Sequence, residues 1–308
     1  LQTKMHANEN PQGTLEMSEL QYPENEIERF RSTLLPYAYN IIGTMEPARD
    51  VVEEVLVPFV LKKHPEVQNP TGYLVKSVIN RSISHKNLLR SRLEHYPDHW
   101  LPEPVITEEG IYQGVDKERI LSYSLLVLME KLSPQERAVF ILKNAFEFSH
   151  KDIGEVLGVE EEHSRQLYKR SKDKIHLKRG KKKALSSQDS DLLNELIGAM
   201  RSADLPRIKH LLKNKVESRS DGGPNNSAVR KVLRGKDHVS KLLRAIGTKY
   251  YLENTQVEVI SVNHQPAIAY LQNDEVYRVM ILEVEADKVT GVFVVINPEK
   301  LMDFRINQ

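Results

Sequence analysis

The densest group of side chains able to contact nucleic acid in the sequence is Glu161, Glu162, His163, Arg165, Gln166, Lys169 and Arg170. Arginine can pair with guanine through two parallel donors, glutamine with adenine, and glutamate can accept from the cytosine amino group, each discriminating by about 1–3 kcal/mol. These groups reach base edges only from a helix that enters a major groove, and the residues before them have the required layout. Ser149 to Val159 reads as a first helix with Ile153, Val156 and Leu157 turned inward. Gly158 permits a sharp turn, Val159 plugs the angle, and a second helix continues through Leu167 to Ile175. Upstream, Ser133 and Pro134 form a serine N-cap with proline at the first helical position, and Val139, Phe140, Leu142 and Phe146 can bury the apolar side of the hairpin. Arg170, Lys172 and Lys174 extend the basic surface toward phosphates. The competing reading is a helical hairpin whose charges only solvate an exposed face.

Charge is nearly balanced over the 308 residues, 44 basic against 43 acidic, but it is segregated along the chain. Met17 to Glu66 holds nine acidic and five basic residues, whereas His163 to Lys183 holds ten basic residues and one acid, Asp173. One segment repels a polyanion and the other attracts it. Hydrophobic residues at 40% and charged residues at 28% are ordinary for a globular chain, and no apolar run reaches membrane-spanning length. The absence of cysteine excludes disulfides, thiolate metal sites and cysteine nucleophiles. It fits a reducing cytoplasm.

The length predicts two or three domains. Residues 1–16 read as a disordered lead or expression remnant. Residues 20–94 show helical spacing, with Ile27, Phe30, Leu34 and Tyr37, then Val51, Val52, Val55 and Phe59, then Tyr73, Leu74, Ser77 and Val78, and Tyr73 and Leu74 are expected to be core. Residues 95–116 are a proline-containing linker, 117–180 resume the helical pattern, and 181–187 end a basic connector that begins at Lys178. Residues 188–308 change character. Helices are expected over Asp189–Arg201, Leu205–Lys213 and Lys236–Tyr250. Strands are expected over Val257–His264, Ala267–Leu271, Val276–Glu285 and Val289–Ile296, with tight turns at Gln265-Pro266, Asn273-Asp274 and Ala286-Asp287-Lys288. Turns this short imply an antiparallel meander with helices packed on it, an α+β unit behind two all-α ones.

At this point the chain resembles a known family. Pro134 to Ile175 looks like region 4 of extracytoplasmic-function sigma factors, and Leu34 to Arg92 looks like their region 2, through Tyr37, Ala38, Tyr39, Gly43, Ala48, Asp50, Val51, Val52, Glu54, Val55, Asn69, Pro70, Tyr73, Leu74, Asn80 and Arg81. Trp100-Leu101-Pro102-Glu103-Pro104, Asp221-Gly222-Gly223 and Asn297-Pro298-Glu299-Lys300-Leu301 are similar to the signatures of the SigJ-like subgroup, in which a SnoaL-like (NTF2-like) cone is fused behind region 4. The chain departs from the pattern at Glu53, where glutamine is common, and at Pro224 and Asn225, where a third glycine and a lysine are common.

The resemblance implies an alternative sigma factor that binds core RNA polymerase (β′ clamp and β flap) and promoter DNA, regulated by its own tail. Region 4 would read the −35 element through the residues from Glu161 to Arg170 named above. Region 2 would open the −10 element with Lys76, Asn80, Arg81, His85, Asn87 and Arg90, with Lys86 and Arg92 adding to the basic helix. It would contact polymerase through Asp50, Glu53 and Glu54. The linker and tail signatures imply an interdomain interface and not a catalytic loop. No metal, cofactor or catalytic group is expected, and no membrane. A small-molecule ligand in the tail remains open. The polar tail residues Asp221, His238, Tyr250, Tyr251 and His264 have no spacing that compels acid–base chemistry. Two other functions fit parts of the sequence: a one-component ligand-responsive DNA-binding regulator, and a SnoaL-like isomerase or cyclase fused to a DNA-binding module.

Overall fold

The computed structural model describes residues 22–62, 64, 66–93, 96, 99–107, 116–175, 187–224, 226, 228–250 and 255–306. The expected lead over 1–16 and the basic connector from Lys178 through Ser186 lie outside these residues. Among the described residues no helix is long and apolar enough to cross a membrane.

The first unit is three helices, α1 (Glu24–Ile42), α2 (Met45–Leu61) and α3 (Pro70–Leu93). The three-to-four spacing of Ile27, Phe30, Leu34, Tyr37 and Ile41 gives α1 its buried stripe. It stops at Gly43, whose φ of +92° carries the left-handed cap and whose N–H donates to Tyr39 O at 2.7 Å. Leu74 is buried as expected, but Tyr73 is not core. It is 46% exposed and its ring stacks on Phe59 at 5.5 Å, because it lies on the outer side of the first turn of α3.

The second unit is α4 (Tyr123–Met129), α5 (Pro134–Asn144), α6 (His150–Leu157) and α7 (Glu161–Ile175). Capping boxes fix the starts of α5 and α6: Ser133 with Glu136, and Ser149 with Asp152. The α6–α7 turn needs two glycines for different reasons. Gly158 sits at φ +65°, and a Cβ on Gly154 would meet Val159 O at 2.6 Å, so only glycine lets the two helices approach this closely.

The tail comprises α8 (Ser187–Arg201), α9 (Leu205–Leu211), β1 (Leu212–Asp221), β2 (Leu233–Arg234), α10 (Lys236–Tyr250), β3 (Gln256–Val262), β4 (Gln265–Gln272), β5 (Glu275–Glu285), β6 (Lys288–Val295) and α11 (Pro298–Leu301). The strand order is β2-β1-β6-β5-β4-β3. Strands β3 to β6 are the expected antiparallel meander, and β1 adds to β6 in parallel, an element absent from the sequence reading. Its sequence LKNKVESRSD hides the period of two behind charged residues, and the helix expected to reach Lys213 ends at Leu211 instead. The first turn is Asn263-His264 and not Gln265-Pro266. Both turn residues have positive φ, which asparagine tolerates and proline cannot adopt, and Pro266 pairs with Ser261 near the start of β4.

Three apolar clusters organise the described residues. The first is continuous from Ile27 to Ile175 and belongs to both helical units together. The second fills the space between α8–α10 and one face of the sheet. The third covers the other face, where alternation along β4 turns Ala267, Ala269 and Leu271 toward Leu101 and Ile106 of the linker and Tyr123 and Val127 of α4. The linker also runs antiparallel along the exposed edge of β3: Ile106 bridges Val262, Thr107 N donates to Ser261 O at 2.9 Å, and Asn263 N donates to Val105 O at 2.8 Å.

Candidate nucleic-acid interface and interdomain contacts

On α7 the inward positions are Ser164, Leu167, Ser171 and Ile175, and Ser164 Oγ lies 3.0 Å from His150 Nδ1 of α6. The opposite side carries Glu161, Glu162, His163, Arg165, Gln166, Lys169 and Arg170, all exposed. Arg165 is paired with Glu161 one turn earlier, so base reading requires it to exchange that partner.

The basic helix α3 is less open. Lys76, Arg81, Asn87 and Arg90 are exposed, whereas Asn80 and His85 are partly covered. Asn80 Nδ2 donates to Val156 O of α6 at 2.8 Å, which seats the helix-turn-helix on the middle of α3. Arg81 Nε pairs with Glu54 at 2.6 Å, and that hydrogen bond holds the Glu54 carboxyl below its ordinary range. Glu53 pairs with Arg31 at 2.6 Å, and Asp50 is exposed on the same helix. The acidic and basic helices therefore face each other and neutralise part of their charge within the unit.

The linker and tail signatures meet at one place. Asp221, at the end of β1, is fully buried and accepts from Tyr96 Oη at 2.7 Å, Leu101 N at 2.8 Å, Gly223 N at 3.0 Å and Lys300 Nζ at 2.6 Å. Lys300 also donates to Leu101 O, and burial lowers its pKa against the pull of Asp221. Asn297 caps α11 by accepting from Glu299 N at 3.1 Å, and its amide donates to Tyr96 Oη at 3.2 Å. Gly223, at φ +71°, lies so close to Asn297 that a Cβ would meet its amide oxygen at 2.6 Å, and a Cβ on Gly222 would meet Asn226 O at 2.5 Å. Leu301 is buried against the outer face of the sheet. Within the linker, Pro102 O accepts from Tyr123 Oη at 2.7 Å and Pro104 is buried.

Trp100 stands between two ammonium groups, Lys300 at 4.2 Å and Lys86 of α3 at 4.3 Å from its ring. Its edge rests on Gly43, where a Cβ would come within 2.8 Å of Cη2. Glu103 closes the same corner. Its carboxylate accepts from Met45 N at the start of α2 at 2.8 Å, its N–H donates to Gly43 O at 2.8 Å, and its carbonyl accepts from Tyr39 Oη at 2.7 Å. Burial pushes the Glu103 carboxyl up to about 7, against Met45 N–H, Lys300 and Arg49, which favour the charged form.

Several residues at this junction were not singled out by the sequence. Lys86 was counted with the DNA-facing bases, but it is buried, donating to Ile42 O at 2.8 Å and pairing with Glu130 at 3.0 Å. Burial lowers its pKa to about 7 despite Glu130. A signal existed: Lys86 falls on the same stripe of α3 as Val75, Ile79 and Ile83. Asn263 carried no such signal. From the β3–β4 turn it donates to Tyr39 Oη at 2.9 Å and Leu121 O at 3.2 Å and accepts from Val105 N at 2.9 Å, touching α1, the linker and the entry to α4 at once. The polar tail residues do not converge. Asp221 faces the linker, the His264 ring meets Lys117 O at 2.9 Å, and His238 is exposed on α10. The Tyr250 side chain and Tyr251 lie outside the described residues, and no metal-binding cluster occurs among those described.

A three-helix unit with one acidic and one basic helix, a second unit ending in a helix-turn-helix, and a fused α+β tail together make an architecture similar to that of extracytoplasmic-function sigma factors. Residues 122–175 match the family model described as Sigma-70, region 4. The chain is similar to the ECF RNA polymerase sigma factor SigJ of Mycobacterium tuberculosis, 26% identical over 300 residues that cover 90% of this chain and 92% of the relative. It is 24% identical over 279 residues to the probable ECF RNA polymerase sigma factor SigI of the same species, covering 89% and 93%. The crystal structure of M. tuberculosis SigJ superposes with a TM-score of 0.73 at 22% identity, covering 91% of this chain and 98% of that one, which shows a shared fold.

Proposed function

We propose that this chain is an alternative sigma factor: it binds core RNA polymerase, reads the −35 element with α7 and the −10 element with α3, and is controlled by its fused tail. The observation that carries the reading is the exposed α7 face from Glu161 to Arg170 in a unit that matches sigma region 4, joined in one chain to the acidic and basic helices α2 and α3. Asp50, Glu53 and Glu54 are the polymerase-facing groups. Lys76, Asn80, Arg81, His85, Asn87 and Arg90 are the groups for the opened strand. The tail serves control, and its buried carboxylate Asp221, bonded to the linker and to Lys300, is the contact that couples it to the rest of the chain.

Geometry supports a regulated opening. Elements at −35 and −10 are about 25 base pairs apart, roughly 85 Å of duplex at about 3.4 Å per pair. Here α3 and α6 are in hydrogen-bond contact through Asn80. The two DNA-reading units must separate before both elements are engaged, and the linker from Trp100 to Thr107, held along β3 and against Asp221, sets how far they move. Run-off transcription with purified core polymerase tests the function. The full chain is expected to direct initiation at a defined site, and charge reversal at Arg165 or Arg81 to abolish it. Unchanged initiation by both variants, or no association with core, would refute it. A pull-down with core also separates this reading from a one-component regulator, which binds DNA without polymerase.

A further inference from the structure

The tail is polarised in charge. From Arg201 to Lys249 it holds 13 lysine and arginine residues against four acids, whereas from Tyr250 to Gln308 it holds four against nine. The basic stretch folds as one lobe of α9, β1, β2 and α10. Lys209 on α9 pairs with Asp237 in the first turn of α10 at 2.5 Å, and Arg234 on β2 pairs with Glu217 on β1 at 3.0 Å. The other two acids are also engaged. Asp204 caps α9 by accepting from Arg207 N at 3.0 Å, and Asp221 is buried at the linker junction. Lys215, Lys231, Lys236, Lys241 and Arg244, in contrast, form no salt bridge among the described residues. All of these except the half-buried Lys236 are exposed. On α10, Val239, Leu243 and Ile246 are buried inward, which leaves Lys241 and Arg244 on the outer side. A face that only solvates a domain intersperses the two signs, whereas division into a basic and an acidic half orients a polyanion.

We infer that this lobe is a further nucleic-acid contact of the chain, beside α7 and α3, which holds the phosphate backbone of double-stranded DNA without reading its sequence. The exposed large apolar side chains among the described residues are Val57, Leu61, Tyr73, Leu88 and Met302, and none of them lies on the lobe. The lobe therefore offers unpaired bases no aromatic platform and a bilayer no apolar face. What it offers is cationic charge, and duplex DNA presents one negative charge per about 1.7 Å of its axis. The exposed acids Asp274, Glu275 and Asp287, on the turns at either end of β5, repel the same duplex and so fix which side of the tail meets it. Lys215 and Lys236 also line a groove of about 1040 Å³ whose opposite wall includes Ser122, Ser124 and Leu128 around α4, so the lobe adjoins the unit that carries α7. That the duplex is promoter DNA rests on the sigma-factor reading, but the attraction of the lobe for a duplex does not.

The test uses the full chain, a fluorescently labelled duplex without promoter elements, and no polymerase. The triple variant Lys215→Gln, Lys241→Gln, Arg244→Gln is expected to weaken binding and to lower the slope of log affinity against log salt by about two to three, at roughly 0.9 per phosphate contact. The double variant Lys215→Arg, Lys241→Arg keeps the charge and is expected to keep the wild-type slope. An unchanged slope in the glutamine variant overturns the inference, as does a lowered slope in the arginine variant. If the glutamine variant loses its helical circular dichroism, acetylation of the unsubstituted chain decides: saturating duplex is expected to protect Lys215, Lys231, Lys236 and Lys241, and full reactivity of these lysines overturns the inference. Protection of the same lysines by anionic vesicles or by core polymerase, with duplex leaving them reactive, assigns the lobe to a membrane or to an acidic protein surface and also overturns it. A chain that shows the expected slope difference but never associates with core polymerase refutes the sigma-factor reading alone.

Discussion

At the residue scale, the junction around Trp100 depends on groups that tolerate little change. Gly43 combines a left-handed φ of +92° with direct contact to the indole, so Gly43→Ala is strained in its backbone and clashes with Trp100. It is expected to lower unfolding free energy by about 1–3 kcal/mol in a denaturant melt, with a change in Trp100 emission. Glu103 gives a pH signature. Its folded pKa, about 7, is raised above the ordinary 4.5, so its contribution is fully present below about pH 4.5 and is lost as pH rises through about 7. Arg49, Lys300 and Asp303 face the same carboxylate. Glu103→Gln keeps an acceptor for Met45 N–H and is expected to flatten the dependence of Tm on pH between 5 and 7.5, on the order of the window those values define. A mutant with the wild-type slope would remove Glu103 as its source.

At the scale of elements, α7 leaves open the side proposed to face bases, while its inner side is fixed by Ser164, Leu167 and Ser171. Arg165→Ala is expected to lose about 1–3 kcal/mol of discrimination at a single promoter position while leaving the fold intact, measured by comparing initiation on promoters that differ at that position. Lys169→Ala is expected to weaken binding evenly across sequences and to reduce the salt dependence of promoter affinity by about one unit of slope. Equal loss on every promoter for Arg165→Ala would make that arginine a phosphate contact. The helix-turn-helix was legible because its apolar spacing and the turn glycine Gly158 are local requirements. Strand β1 was not, because its burial pattern depends on β6, about 70 residues further along the chain by the pairing of Ser218 with Val292.

At the scale of the whole molecule, the linker is both tether and edge strand, so tail docking and unit spacing are one mechanical problem. Trp100→Ala is expected to loosen the tail from α3 and to change the yield of run-off transcripts relative to the full chain at equal core occupancy. Identical yield would place tail control elsewhere. The direction of that change reports whether the docked tail restrains or supports initiation.

The sequence by itself determined the helix-turn-helix, the acidic and basic helices, the meander and the signatures at Trp100, Asp221 and Lys300, since spacing, capping and turn chemistry act over a few residues. Only the tertiary structure decided that these signatures share one buried point, that Lys86 lies in a seam and not on a DNA-facing surface, and that Asn263 joins three segments. Those outcomes depend on which distant groups lose water together, and local sequence does not encode desolvation between partners that stand from 44 to 224 residues apart.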